Sequence, residues 1–204
     1  KTNFIRFRNA YFKNFNDPKI LEIGAEDING SLKDLIDVKA NYIGADLNKG
    51  KNVDVVLKDP YTLPFDSNSF DIVIASSVFE HVDFFWLSYL EILRVLKGRG
   101  LFYLNIPSNG DFHRHPSDNW RFYPDSGDAL KKWAIKNNYQ PEILENFISN
   151  QEGKDIWNDY VCVTVKDKKH ANDFSLRILD NFKEFRNGKT NKSGKILNLS
   201  KKSE

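Results

Sequence analysis

The sequence has one cysteine, no methionine and no long apolar run. A single cysteine, Cys162, cannot form an internal disulfide and cannot by itself hold a zinc ion or an iron–sulfur cluster. No segment approaches the roughly 18 to 20 consecutive apolar residues that cross a bilayer, and residues 1–19 lack the apolar core of a secretion signal. We therefore expect a cytoplasmic protein without membrane contact. Because residue 1 is a lysine and methionine is absent, we also expect a piece of a longer protein.

The chain also lacks an excess of charge of either sign. It has 30 Lys+Arg against 28 Asp+Glu, a net charge of +2, and much of the surplus lysine follows Asn187. No basic stripe with interleaved aromatic residues is present, so we predict no nucleic-acid partner. The 40% hydrophobic and 14% aromatic content is instead typical of a soluble globular domain with a large packed core.

Short apolar runs that end in small or polar residues predict a sheet. Five of them have the form of buried parallel strands, at residues 20–24, 42–46, 53–57, 70–75 and 100–106. Two later runs, at 142–148 and 160–165, predict an antiparallel pair that closes the sheet edge. The prediction is a mostly parallel, seven-stranded sheet with an antiparallel edge strand.

Helical periodicity separates these runs. Aromatic residues at Phe4, Phe7, Tyr11 and Phe15 predict an N-terminal amphipathic helix, and residues 82–97 and 125–137 predict two helices farther along the chain. Apolar positions from 174 to 185 predict a C-terminal amphipathic helix. This alternation indicates a doubly wound α/β domain over residues 1–187, followed by a flexible basic tail over 188–204.

An aspartate stands where a nucleoside would be recognised in such a fold. Ligands of open parallel sheets bind beyond the carboxyl ends of the strands, and Asp46 ends the second run about twenty residues after the first. A carboxylate there can accept hydrogen bonds from both hydroxyls of a ribose. The alternative is that Asp46 only caps the segment that follows it, and position alone does not separate the two.

The order of motifs along residues 19–107 strongly resembles the class I S-adenosylmethionine-dependent methyltransferases of the small-molecule type. The motifs that carry the resemblance are Leu21-Glu22-Ile23-Gly24, Asp46, Asp59 with Leu63-Pro64-Phe65, Ser69-Phe70-Asp71-Ile72-Val73, Phe79-Glu80-His81-Val82, and Leu93-Arg94-Val95-Leu96-Lys97 with Gly100-Leu101. The resemblance implies a Rossmann-like fold and S-adenosylmethionine as cofactor. It also implies cofactor contacts at ten positions: Glu22, Gly24 and Ala25 near the methionine end, Asp46 on the ribose, Leu47, Asp59 and Pro60 around the adenine, and Ser76, Ser77 and His81 after the fourth strand.

The loop after the fifth strand is where the resemblance places the acceptor. We predict His113 or His115 as the proton acceptor, with Asp118 orienting it. Contacts to a small-molecule or glycan-like acceptor are predicted for Asn109, Trp120, Arg121 and Tyr123, although the aromatic residues there also suit a core and Arg121 also suits a structural pair with Asp118. No cysteine and few acids accompany the two histidines in sequence, so we predict no metal site.

One departure from the family pattern leaves a second hypothesis open. The family's first motif has a further glycine where this chain has Glu26. The side chain could obstruct the cofactor or could meet its ammonium group. The leading interpretation is therefore a methyltransferase, and the alternative is a non-catalytic methyltransferase-like binding module that has lost the cofactor.

Overall fold

Nine strands form one mixed sheet in the part of the chain that the computed structural model describes, residues 1–28, 30–150 and 156–200. The strands are β1 Lys19–Ile23, β2 Asn41–Asp46, β3 Val55–Val56, β4 Phe70–Ser76, β5 Leu96–Pro107, β6 Glu142–Ser149, β7 Asp159–Val165, β8 Phe185–Thr190 and β9 Ser193–Leu197. The helices are α1 Thr2–Tyr11, α2 Phe85–Val95, α3 Ser126–Lys136 and α4 Ile178–Asn181. Among these described helices, none is long and apolar enough to cross a bilayer.

The strand order is β3-β2-β1-β4-β5-β7-β6-β8-β9. The pairs β3–β2, β2–β1, β1–β4 and β4–β5 are parallel. The pairs β5–β7, β7–β6, β6–β8 and β8–β9 are antiparallel. From β1 the chain moves outward to β2 and β3, and it then returns to β4 on the other side of β1. The connections therefore diverge between β1 and β4, and this divergence opens a crevice at the carboxyl ends of these two strands.

Helices cover both faces of the sheet because alternate strand residues point to opposite sides. On one face, Leu21 and Val73 pack in a core with residues of α2 and α3, such as Leu93 and Leu130. On the other face, strand residues pack with α1 and α4 in a second core, whose members include Ile20, Ile72, Phe7, Tyr11 and Ile178. These two apolar layers confirm the doubly wound α/β architecture predicted from the sequence, and the parallel pairing of the first five strands confirms the predicted parallel part of the sheet.

The C-terminal fifth of the chain differs from the prediction. The amphipathic helix expected over 174–185 is reduced to the four residues of α4, because Phe174 and Ile178 enter the α1 core and Phe185 already begins β8. The tail expected from residue 188 contributes to β8 and β9, and the proposed domain boundary at Asn187 falls within β8. Residues 201–204 lie outside the described part.

The polar composition of residues 188–200 favours an irregular tail, but the segment pairs with the otherwise free edge of β6 and forms strands instead. That edge presents unpaired backbone groups, which β8 satisfies through the pairs Glu145–Thr190 and Asn146–Lys189. The sheet consequently has nine strands instead of seven, and the β6–β7 pair lies inside it.

Candidate active site

A cleft of about 1000 Å³ opens at the carboxyl ends of β1, β2, β4 and β5. Nine of the ten residues predicted to contact a cofactor line it: Glu22, Gly24, Ala25, Asp46, Leu47, Pro60, Ser76, Ser77 and His81. His113 and His115 line it as well. The fold thus joins the predicted cofactor positions and the histidine-bearing loop in one continuous space.

The end of β1 exposes bare backbone to this cleft. Gly24 has φ +74°, a conformation that favours glycine, and its N–H donates to the carbonyl of Ala45 at 2.9 Å. A Cβ atom on Gly24 would collide with Cγ2 of Val78. The position therefore combines a turn and a close approach that only glycine accommodates.

Asp46 lies in the cleft and also fixes the loops around it. Its Oδ2 accepts a hydrogen bond from the backbone N–H of Glu26 and its Oδ1 accepts one from that of Asn48, both at 3.1 Å. Asp46 therefore has the structural contacts expected of a capping residue, and it also lines the cleft where a ribose could bind. Because each carboxylate oxygen has two lone pairs, both oxygens retain an acceptor site for a ligand hydroxyl.

Glu26 leaves the cleft open. A Cβ atom on Gly50 would come within 2.7 Å of both Cγ and Oε1 of Glu26, so the glutamate side chain packs against this glycine in the middle of the β2–β3 connection. Glu26, which replaces the second glycine of the family motif, therefore fits because the residue opposite it, Gly50, has no side chain. The cleft, its bare Gly24 turn and the available acceptors of Asp46 together fit a nucleoside cofactor that carries no phosphate.

Glu22 is a buried acid at the floor of the cleft. It lies in β1 opposite Gly44 of β2, and its Oε2 accepts a short hydrogen bond from the hydroxyl of Tyr42. Burial raises the pKa of Glu22 from its ordinary 4.5 to about 7, although the bond from Tyr42 opposes this shift. The carboxyl group therefore changes charge near neutral pH, where a cationic ligand would favour its ionised form.

Three histidine rings meet at the opposite end of the cleft. The ring centroid of His81 lies 5.1 Å from that of His113 and 6.3 Å from that of His115. The Nδ1 of His81 bonds to the carbonyl oxygen of Ser117, and burial lowers the pKa of His81. The loop after β4 and the loop after β5 are thereby tied together.

Asp118 supports the second of these loops. Its carboxylate accepts a hydrogen bond from the backbone N–H of His113 at 2.8 Å and lies 3.4 Å from Nδ1 of the same residue. Both carboxylate oxygens also accept bonds from the guanidinium of Arg121, at 2.5 and 2.8 Å. These bonds hold the pKa of Asp118 below its ordinary value, so it is a fixed negative charge beside His113.

Glu80 is the most unusual acid at this end. Its side chain is only 1% exposed, and its Oε2 has no hydrogen-bond partner. Burial raises the pKa of Glu80 to about 8. In the sequence Glu80 stands only within the motif Phe79-Glu80-His81-Val82, and nothing in that local pattern predicts that its carboxyl group is buried with one oxygen unpartnered.

Several other predicted residues lie outside the cleft lining. Asp59 closes a turn by accepting from the N–H of Tyr61 at 2.7 Å. Trp120 donates from its indole N–H to the carbonyl of Val82. The side chain of Asn109 donates to the carbonyl of Ile156 and accepts from the N–H of Asn158, in the segment before β7. The remaining ones are Arg121 and Asp118, which pair as described, and Tyr123, which precedes α3 and is 60% exposed.

The structure adds cleft residues that the sequence had not assigned to a site. Tyr61 and Ser31 line the cofactor half, while Asn105 and Asp159 line the other half. Asp159 directly precedes the last predicted strand, and the antiparallel pairing of β7 with β5, which the sequence did not predict, places it beside Pro107 at the cleft. No comparable signal existed for Ser31, which lies in an irregular connection.

Comparisons with known proteins agree with this geometry. Residues 28–104 match the family model described as a methyltransferase domain. No curated protein sequence matches the chain. Among solved structures, YcgJ from Bacillus subtilis is 16% identical with a TM-score of 0.59, over 82% of this chain and 100% of that one.

Two further solved structures share the fold at low identity. The 1,6-didemethyltoxoflavin-N1-methyltransferase of Burkholderia thailandensis, with bound 1,6-didemethyltoxoflavin and S-adenosylhomocysteine, is 13% identical with a TM-score of 0.57, over 81% of this chain and 77% of that one. An S-adenosylmethionine-dependent methyltransferase from Aquifex aeolicus is 11% identical with a TM-score of 0.54, over 78% and 88%.

Residues 28–104 therefore carry a methyltransferase domain, and the fold of the described residues is that of the class I S-adenosylmethionine-dependent methyltransferases, as the sequence predicted.

Proposed function

We propose that the chain transfers a methyl group from S-adenosylmethionine to a small-molecule or glycan-like acceptor. The observation that carries the proposal is the single cleft that runs from Gly24 and Asp46 to the histidines after β4 and β5. Its volume of about 1000 Å³ is at the upper end of the range of ligand sites, roughly 300–1000 Å³, which leaves space for an acceptor beside a nucleoside cofactor. The near-balanced charge and the lone buried Cys162 support a cytoplasmic reaction without nucleic acid.

The cofactor half of the proposed site is formed by residues after β1, β2 and β4. We assign Asp46 to the two ribose hydroxyls, Glu22 to the cationic amino group, and the bare backbone of Gly24 to the methionine end. Leu47 and Pro60 flank the adenine, and Ala25, Ser76 and Ser77 complete the lining. When bound there, the cofactor supplies a methyl group on a sulfonium, and the site has to align an acceptor with it and exclude water.

In the acceptor half, His113 or His115 takes the proton that a hydroxyl acceptor loses. Asp118 acts as a positioning residue, because it fixes the backbone of His113 and lies 3.4 Å from its ring Nδ1. Asp59, Asn109, Trp120, Arg121 and Tyr123 hold the surrounding loops through the contacts described above, and we assign them no direct contact with either ligand.

Binding of S-adenosylhomocysteine tests the proposal against a binding module without cofactor. At a ligand concentration of 100 times Kd, a ligand that binds only the folded state stabilises it by about 2.7 kcal/mol, which corresponds to roughly 5–10 °C in Tm for a chain of this size. We expect a thermal shift of this order with S-adenosylhomocysteine and none with NAD, since the Gly24 turn offers no glycine-rich pyrophosphate cradle. Absence of a shift at saturating S-adenosylhomocysteine would favour the module.

The charge of Glu22 predicts a pH dependence of cofactor affinity. The amino group of S-adenosylhomocysteine stays cationic up to about pH 8, whereas Glu22, with a pKa of about 7, becomes anionic as the pH rises through neutrality. Affinity measured by calorimetry should therefore increase from pH 6 to 7.5, by up to roughly eightfold. In Glu22→Gln the affinity should stay flat across this range.

Folding stability provides an independent measurement on Glu22→Gln. Ionisation of Glu22 should raise the cofactor affinity but lower the free energy of unfolding. Because the folded-state pKa of Glu22 is raised, the stability contributed by its protonated form is present below about pH 4.5 and is lost as the pH rises toward 7. Urea unfolding at pH 8 should therefore find Glu22→Gln more stable than the wild type, by about 1–3 kcal/mol. A variant of equal or lower stability with unchanged affinity would contradict both the burial argument and the assigned contact.

A further inference from the structure

Two loops bring three potential metal ligands together at the acceptor end of the cleft. Glu80 and His81 follow β4, and His113 follows β5. Each offers one ligand atom, and these atoms lie within 4.8 Å of one another. In a tetrahedral zinc site with bonds of about 2.0–2.1 Å, neighbouring ligand atoms are about 3.4 Å apart. The three ligand atoms must therefore move closer together to bind zinc. The side chain of His113, which is 37% exposed, has room for this movement.

Both histidines are oriented in the way that metal-binding histidines usually are. The Nδ1 of His81 donates to the carbonyl oxygen of Ser117. The Nδ1 of His113 donates to the carbonyl oxygen of Asp111 at 3.4 Å and lies 3.4 Å from a carboxylate oxygen of Asp118. A hydrogen bond at Nδ1 fixes the tautomer in which Nε2 presents its lone pair. In His81 this Nε2 lies 3.8 Å from Oε1 of Glu80.

The unpartnered oxygen of Glu80 is the second and independent observation. A carboxyl group that is 1% exposed would ordinarily have both oxygens satisfied, since burial of a polar group without a partner is costly. Its Oε2 has no hydrogen-bond partner, and the residue lines the cleft. A cation bound between the carboxylate and the two imidazoles would compensate this cost.

We propose that Glu80, His81 and His113 bind a divalent metal ion, and that this ion holds an oxygen of the acceptor. Two imidazoles, one carboxylate and an open position facing a cleft match the ligand preferences of zinc, and differ from the all-oxygen sites of magnesium and calcium. The catalytic part of this inference rests on the proposed methyl transfer. The sequence predicted no metal, because no cysteine and few acids accompany the two loop histidines in sequence. Glu80 lies 33 positions before His113, and only the fold brings the two together.

A metal in this position also separates the roles of the two loop histidines. With His113 as a ligand, His115 becomes the proton acceptor, because it lines the cleft beside His81 without belonging to the ligand group. The metal lowers the pKa of a bound acceptor hydroxyl. The O–H bond would then break with its proton passing to His115, and the acceptor oxygen would attack the methyl carbon with the electron pair it keeps. At the same time the bond from the methyl carbon to the sulfonium sulfur would break, and its electron pair would stay on the sulfur of the departing S-adenosylhomocysteine.

Zinc titration of the EDTA-treated protein tests the site without an activity assay. Calorimetry is expected to find one zinc ion per chain in the wild type. Glu80→Gln and His113→Ala should each lose affinity by more than the roughly 10- to 100-fold that removal of an outer hydrogen-bond partner causes. The matched control is His170→Ala, which removes a histidine paired with Asp173 away from the cleft and should bind zinc as the wild type does. Magnesium should give no saturable heat.

The outcomes separate this proposal from that of methyl transfer. Absence of stoichiometric binding, or equal zinc affinity in His113→Ala and the wild type, overturns the metal site. Loss of binding in His170→Ala assigns the zinc to the surface and overturns it as well. The S-adenosylhomocysteine thermal shift of His113→Ala should be retained, so failure of the metal site with a retained shift leaves the proposed function intact.

Discussion

Replacement of Asp46 by alanine is expected to reduce the affinity for S-adenosylhomocysteine by at least about a hundredfold. The carboxylate lines the cleft with a vacant acceptor site on each oxygen, and loss of two hydrogen bonds to a charged acceptor corresponds to about 3 kcal/mol or more. Calorimetry on the variant measures the loss. Circular dichroism should stay unchanged, because the bonds from Glu26 and Asn48 are confined to two loops.

Asp54 supplies a matched control for the structural part of this effect. Its carboxylate also accepts from a backbone N–H, that of Gly44 at 2.8 Å, but it does not line the cleft. Asp54→Ala should therefore lose some stability and retain its affinity for S-adenosylhomocysteine. Equal affinities for Asp46→Ala and the wild type would refute the assignment of Asp46 to the ribose.

The second large effect concerns folding and is expected for Glu145→Ala. Glu145 is 0% exposed and accepts three hydrogen bonds, from the hydroxyl of Tyr11 at 2.5 Å and from the backbone N–H groups of Ile178 and Leu179 at 2.7 and 3.0 Å. The alanine variant leaves three buried donors unsatisfied, at about 1–3 kcal/mol each. We expect urea unfolding to show a loss of about 3–5 kcal/mol, a large part of the 5–15 kcal/mol typical of a domain.

Glu142 lies in the same strand and provides the comparison. It pairs with Lys131 at 2.9 Å near the surface. Removal of a pair of this kind usually changes stability by less than about 1 kcal/mol. If Glu142→Ala and Glu145→Ala destabilised the protein equally, the buried cluster between α1, β6 and α4 would not contribute as the contacts indicate.

The cofactor half of the site could be predicted because its residues follow local patterns. Gly24 and Asp46 each end an apolar run, and the carboxyl ends of parallel strands necessarily meet at one edge of the sheet. Asp59 was assigned through the family resemblance and closes a turn outside the cleft lining, since β3 has only two residues and the chain leaves the sheet there early.

The segment from residue 174 onward was predicted less well, because competing tertiary contacts decide its conformation. Apolar residues at 174, 178, 179, 182 and 185 satisfy a helical period, yet they are drawn into the α1 core from an irregular path. Likewise, a register shift between Ile143 and Glu145 places Leu144 and Glu145 toward the same side of β6, where the acid meets Tyr11. No period along the strand indicates such a shift.

The sequence by itself determined the alternation of strands and helices, the order of the motifs, and the chemistry at the ends of β1 and β2, because these depend on residues within one turn or one strand of each other. Only the tertiary structure decided that Glu80 and His81 would meet His113, that Glu26 would pack on Gly50, and that residues 185–197 would extend the sheet. These outcomes depend on which distant backbone groups pair and which buried polar atoms find partners, and such contacts are set by the whole fold.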